Sequence, residues 1–84
     1  MPGHADRVIK DELDLIAQER IGDKLGKPAE VRQYRDSCNT GAEVYCNGVV
    51  LQARSNYQLK LKILEMDRKG ILLKHFKQGF GFDV

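Results

Sequence analysis

The chain opens on a helical period. From residue 6 to residue 25 the apolar positions Ile9, Leu13, Ile16 and Ala17 fall on one stripe, and Val8, Leu15, Ile21 and Leu25 widen it. That spacing predicts an amphipathic helix. Asp6 suits its N-cap and forms a helical charge pair with Lys10, while Gly26 suits a left-handed stop. Pro28 then favours the first turn of a second helix. This helix is predicted from about Pro28 to Cys38, with Val31, Tyr34 and Cys38 inward and Asn39-Thr40-Gly41 ending it.

Past Gly41 the period changes to two. Ala42, Val44 and Cys46 alternate with Glu43 and Tyr45, and Val49 and Leu51 continue that face beyond Asn47-Gly48. Asn-Gly is the pair a type I′ hairpin turn prefers, because both central residues need positive φ. Tyr57, Leu59, Leu61 and Ile63 alternate with Gln58, Lys60 and Lys62, which predicts a half-buried strand with a basic outer face. Asp67-Arg68-Lys69-Gly70 reads as a turn, Ile71 to Phe76 as a further strand, and Phe80, Phe82 and Val84 as a short last one. The expected class is α+β: two N-terminal helices followed by a five-stranded, strongly bent antiparallel sheet or a small barrel. A flat sheet of that size would leave one apolar face open. The length fits a single domain over 1–84, with a flexible start at 1–5, a helical part at 6–38 and an antiparallel β part at 42–84.

Composition narrows the function classes more than it names one. Hydrophobic residues at 42% and charged residues at 31% fit a folded globular chain. The net charge of +2 is too small for whole-molecule attraction to a polyanion. Its distribution is uneven, however: acids crowd residues 6–23, whereas Arg54, Lys60, Lys62, Arg68, Lys69, Lys74 and Lys77 crowd residues 54–77. No signal-like or membrane-length apolar run is present, so a cytoplasmic protein with no membrane partner is expected. Cys38 and Cys46 match neither zinc-knuckle nor Cys-x-x-Cys spacing, and nothing in the spacing draws His4 and His75 towards them, so no metal or cofactor is expected. No phosphate loop, nucleophile elbow or zinc-protease motif occurs, and a non-enzymatic role is expected.

Two nucleic-acid readings remain. Gln18 to Arg35 has the outline of a helix-turn-helix, with Gly22, Leu25, a turn at Gly26 and Val31 in the following helix, which would turn Arg32, Gln33 and Arg35 towards DNA. The strands give the other reading. An N-terminal helix, the hairpin VYCNGVVLQ at 44–52, apolar Ile63-Leu64 and the Lys74-His75 pair succeed one another in an order that resembles the Sm-like RNA-binding family, more narrowly its bacterial Hfq branch. The resemblance covers about half of the chain. It implies an SH3/Sm-like barrel, ring assembly through the fourth and fifth strands, and single-stranded RNA bound at Lys74 and His75. Lys60, Lys62 and Arg54 on the basic β surface would extend that site. Ala53 stands where the family carries glycine, Leu59 stands near its acidic loop residue, and the helix at 28–38 is additional.

A third reading needs no nucleic acid. A small inhibitor or subunit would dock on a protein partner by a strand edge or by Phe80 and Phe82, since aromatic side chains often anchor interfaces. Homo-oligomerisation is expected on size alone, because so short a chain buries a small core.

Overall fold

A two-residue hairpin sets the phase of the sheet in this protein, whose computed structural model describes residues 8–35 and 40–78. Asn47 and Gly48 take φ of 58° and 80°, the left-handed backbone of the turn expected from Asn-Gly. They join β2, Thr40–Cys46, to β3, Val49–Ala53, with Cys46 opposite Val49 and Val44 opposite Leu51. On the other side of β2 lies β1, Glu30–Arg35, with Val31 opposite Val44. The result is an open antiparallel sheet of three strands in the order β1-β2-β3.

Among the described residues three helices flank this meander in sequence. The first, α1, begins α-helical over Lys10–Ala17, makes a π-helical turn over Gln18–Gly22 and returns to α over Asp23–Leu25. Gly26, with φ of 71°, ends it as expected. In the π turn Gln18 lies over Gly22, and its amide donates to Asp23 at 2.8 Å. After β3 come α2, Asn56–Arg68, and α3, Leu72–Lys77.

All three helices bury their apolar residues against one face of the sheet. Leu13, Ala17 and Ile21 of α1, Leu59 and Ile63 of α2, and Leu72 and Phe76 of α3 join Val31, Ala42, Val44, Cys46 and Leu51 in one core cluster. The helical members recur at intervals of four, which is the same-face spacing of an α-helix. Two ion pairs link α1 to α2, Glu12 with Lys60 at 2.6 Å and Arg20 with Asp67. The opposite face of the sheet carries Arg32, Tyr34, Glu43, Tyr45, Val50 and Gln52 and has no described helix over it.

The α+β class stands, but the expected five-stranded sheet or small barrel does not. Residues 30–35 form a strand where a second helix was expected: β2 offers a second pairing partner, and so short a segment yields to it although Glu30, Arg32, Gln33 and Arg35 favour a helix. Residues 56–68 and 72–77 are helices where strands were expected. Leu59, Leu61 and Ile63 satisfy a period of two, yet Leu59, Ile63 and Met66 satisfy the helical period equally, and local chemistry decides between them. Ser55-Asn56-Tyr57-Gln58 has capping-box spacing, Ser55 Oγ accepts from the Gln58 N–H at 3.1 Å, and Leu, Lys, Glu and Met dominate the rest of the segment. Leu61, counted with the inward set, is 42% exposed. The helix-turn-helix reading loses its recognition helix, since Arg32, Gln33 and Arg35 lie on β1. The flexible start at 1–5, the Asp6 cap, Cys38 and the strand at Phe80, Phe82 and Val84 lie outside the described residues.

The switch from strand to helix changes what each substitution costs. Ile63→Ala lowers the unfolding free energy by about 2–5 kcal/mol, the range for deleting a buried aliphatic side chain, whereas Leu61→Ala costs less than about 1 kcal/mol. Equal losses for both in urea denaturation would restore the alternating strand. Gly41 is a second sensitive point, because a Cβ there would meet the Ala53 carbonyl oxygen at 2.6 Å and the Tyr34 hydroxyl at 2.7 Å. Gly41→Ala is expected to cost about 1–3 kcal/mol in the same assay.

Candidate nucleic-acid interface

Each cation of this chain is best judged by what already occupies it. Lys10, Arg20, Arg32, Lys60, Arg68 and Lys69 all sit in ion pairs with carboxylates. Arg32 is held most fully, by Glu30 at 3.3 Å, by Glu43 at 3.9 Å and by its position 4.8 Å over the Tyr45 ring. Glu30 holds the Arg32 guanidinium above its ordinary range. Among the described residues, Lys24, Arg35, Arg54, Lys62, Lys74 and Lys77 have no carboxylate partner.

The meander gathers three of these, Arg35, Arg54 and Lys62. β1 and β3 run the same way on either side of β2, so Arg35 at the end of β1 and Arg54 just past β3 reach the same end of the sheet. Between them opens a cleft of about 420 Å³ whose walls include Tyr34, Arg35, Gly41, Arg54 and Ser55. Tyr34 lies over Gly41, which leaves the space that a β-carbon would take. Arg54 also lines a second cleft of about 730 Å³ with Gln58, Leu61, Lys62 and Glu65. Glu65 is the acid of this group, and Lys69 and then Arg68 hold its carboxyl below the usual carboxylate range. The N-terminus of α2, capped by Ser55, adds its partial positive charge beside Arg54.

The residues expected to bind RNA are thereby divided. Arg54 and Lys62 share a cleft. Lys60 points elsewhere, to Glu12 of α1. Lys74 and His75 sit on α3, and His75 Nε2 donates to the Val50 carbonyl at 3.1 Å. Lys62 Nζ likewise donates to the Gln52 carbonyl at 2.9 Å, a neutral partner that leaves its charge uncompensated. The basic β surface is corrected to a helix-and-turn surface, because Lys60 and Lys62 lie on α2, Lys74 and His75 on α3, and Arg54 in the turn between β3 and α2.

The sequence pattern points to Arg35 only as a DNA-facing residue of a helix, and to Tyr34 only as a core residue. The missing signal was that 30–35 is a strand, which puts Tyr34 and Arg35 at the end of the sheet beside Arg54. Of the thiols and histidines weighed for zinc, Cys46 is buried and free, with burial pushing its thiol up against a smaller opposing pull from Lys27. His4 and Cys38 lie outside the described residues. Among the described residues no group of three or more His, Cys, Asp or Glu is placed to hold a metal ion, and no helix is long and apolar enough to cross a membrane. In comparison with known proteins, no protein-family model matches the chain, and no curated protein or solved structure matches it significantly.

Proposed function

We propose that the protein binds single-stranded nucleic acid, RNA in the first instance, and catalyses no reaction. The observation that carries this reading is the pair of unneutralised arginines, Arg35 and Arg54, in one open cleft with the ring of Tyr34. A guanidinium binds a phosphate oxygen pair through a planar fork of donors, and an aromatic ring accepts the face of any base. Together they meet the two repeating features of a single strand, its charge and its stacking surfaces. Lys62 in the adjoining cleft continues the cationic path along α2, with the exposed Leu61 beside it. The preference for RNA rests on the order of sequence motifs alone, since the barrel that the Sm-like resemblance implied is not the fold.

Binding of a fluorescent single-stranded RNA, followed by anisotropy across a salt series, tests the reading. Arg35→Ala/Arg54→Ala is expected to lower the slope of log affinity against log salt by about 1.4, from about 0.7 for each lost phosphate contact on a single strand. Lys60→Ala, which breaks only an α1–α2 ion pair, leaves the slope unchanged. A DNA strand of the same sequence measures what the 2′-hydroxyl contributes. An unaltered slope in the double variant, or no salt-sensitive binding to either strand, removes the proposal.

A further inference from the structure

Antiparallel hydrogen bonding alternates along a strand, and a two-residue turn fixes its phase. Cys46 and Val49 flank the turn as a mutually bonded pair, so Val44 with Leu51 and Ala42 with Ala53 bond in the same way. Gly41, Glu43 and Tyr45 are thus turned towards β1, where they meet Tyr34, Arg32 and Glu30. It follows that the backbone N–H and C=O groups of Val31, Gln33 and Arg35 point out of the sheet along its β1 edge. The same phase sends the Val50 and Gln52 carbonyls out of the β3 edge, and there side chains meet both, His75 and Lys62. One edge is closed. Along the β1 edge no described residue donates to or accepts from those backbone groups, and the strand has no proline or bulge to blunt it.

We infer that this edge pairs antiparallel with β1 of a second copy, about a two-fold axis at Gln33, and joins two three-stranded sheets into one. The sequence of the strand selects both occupant and register. Outward-pointing residues must face outward-pointing residues, which restricts symmetric pairings to axes through a residue. An axis at Arg32 would set that guanidinium against its own copy at the close spacing of a non-bonded pair. Axes at Val31 or Tyr34 overlap only three strand residues. The axis at Gln33 overlaps Val31 to Arg35 and opposes no like charges. It sets Arg32 against Tyr34 of the second copy on the open face, a guanidinium beside an aromatic ring as Arg32 already stands over Tyr45. On the helix side Val31 faces the aliphatic stem of Arg35. The two Arg35 residues end up four positions apart, about 14 Å, beyond the distance at which physiological salt screens exposed charges. The pairing needs no nucleic acid, although it shares Tyr34 and Arg35 with the proposed cleft, so its test is run without any.

Residues opposed across the axis have Cα atoms about 5.5 Å apart, within disulfide range, whereas the Arg35 pair is far outside it. In a Cys38→Ser chain with Cys46 left buried, Gln33→Cys is expected to oxidise to a covalent dimer and Arg35→Cys to form no covalent dimer. The intact chain should sediment at twice its 9.5 kDa mass. Gln33→Pro, which removes an N–H that the sheet itself does not use, should halve that mass while circular dichroism stays unchanged, whereas Gln33→Ala, which loses the same side-chain hydrogen bond to Asn56 but keeps the N–H, should remain a dimer. A monomer at every soluble concentration overturns the inference, as does equal cross-linking at both positions. A monomer whose Gln33 amide is protected from hydrogen exchange also overturns it, by placing another part of the chain on the edge.

Discussion

A sheet of three strands can hide an apolar face only if something lies across it, and the rest of this fold depends on how that is done. The inward row of β2, Ala42, Val44 and Cys46, is closed to solvent together with Val31 on one flank and Leu51 on the other. A barrel would achieve this by curling the sheet, which takes more strands than three. This chain instead lays helices across the face, and each supplies its own pair or triplet of fully buried residues. Burial on this scale, at about 25 cal/mol per Å² of apolar area, is the largest favourable contribution to the stability of so small a domain. The polar face is left open as a consequence, with its charges paired among themselves through Arg32, Glu30, Glu43 and Gln52.

Much of this was readable in the chain, and the parts that were not share a physical cause. The first helix, its glycine stop and the Asn-Gly hairpin rest on local chemistry that tertiary structure does not override: a helical stripe, a residue at positive φ, a turn whose twist suits its strands. The errors fall where apolar residues satisfy two periods at once. Tyr57, Leu59, Leu61 and Ile63 alternate, but one residue in that series, Leu61, is displaced from the core, and the Ser55 cap with its Gln58 partner outweighs the alternation. Residues 30–35 present the reverse case. Val31 and Tyr34 fit one helical face, yet the second edge of β2 offers a ladder of backbone hydrogen bonds, and a short segment gains more from that ladder than from two turns of helix. Pairing partners of this kind are long-range, so no window of sequence contains them.

The site was readable as residue types and not as a place. The basic second half of the chain is real, but its cations serve three purposes that composition cannot separate. Lys60, Arg68 and Lys69 neutralise acids, and the acidity of α1 is in part the counterpart of that basicity, through Glu12. Lys62 and His75 reach the carbonyls at one edge of the sheet. Arg54 does neither, and Arg35, nineteen positions earlier in the first half of the chain, joins it only because β1 and β3 flank one strand. Charge in excess of local need, brought to one cleft by topology, is a better indication of a ligand than charge counted along the chain.

The two edges of the sheet complete the same reasoning. An exposed edge is an unsatisfied row of donors and acceptors, and a chain that spends two polar side chains on the carbonyls of β3 treats that row as worth closing. His75 comes from α3 and Lys62 from α2, so closing that edge also ties both C-terminal helices to the sheet. On β1 the Gln33 side chain donates to Asn56 of α2, but no described side chain reaches the outward backbone groups of that strand, and α1 commits its side chains to the core and to α2. The polarity that results is a property of the whole fold. One end of the meander gathers the free arginines, one edge has its carbonyls met by the helices that form the core, and the other edge carries a strand whose sequence is complementary to itself when reversed about Gln33.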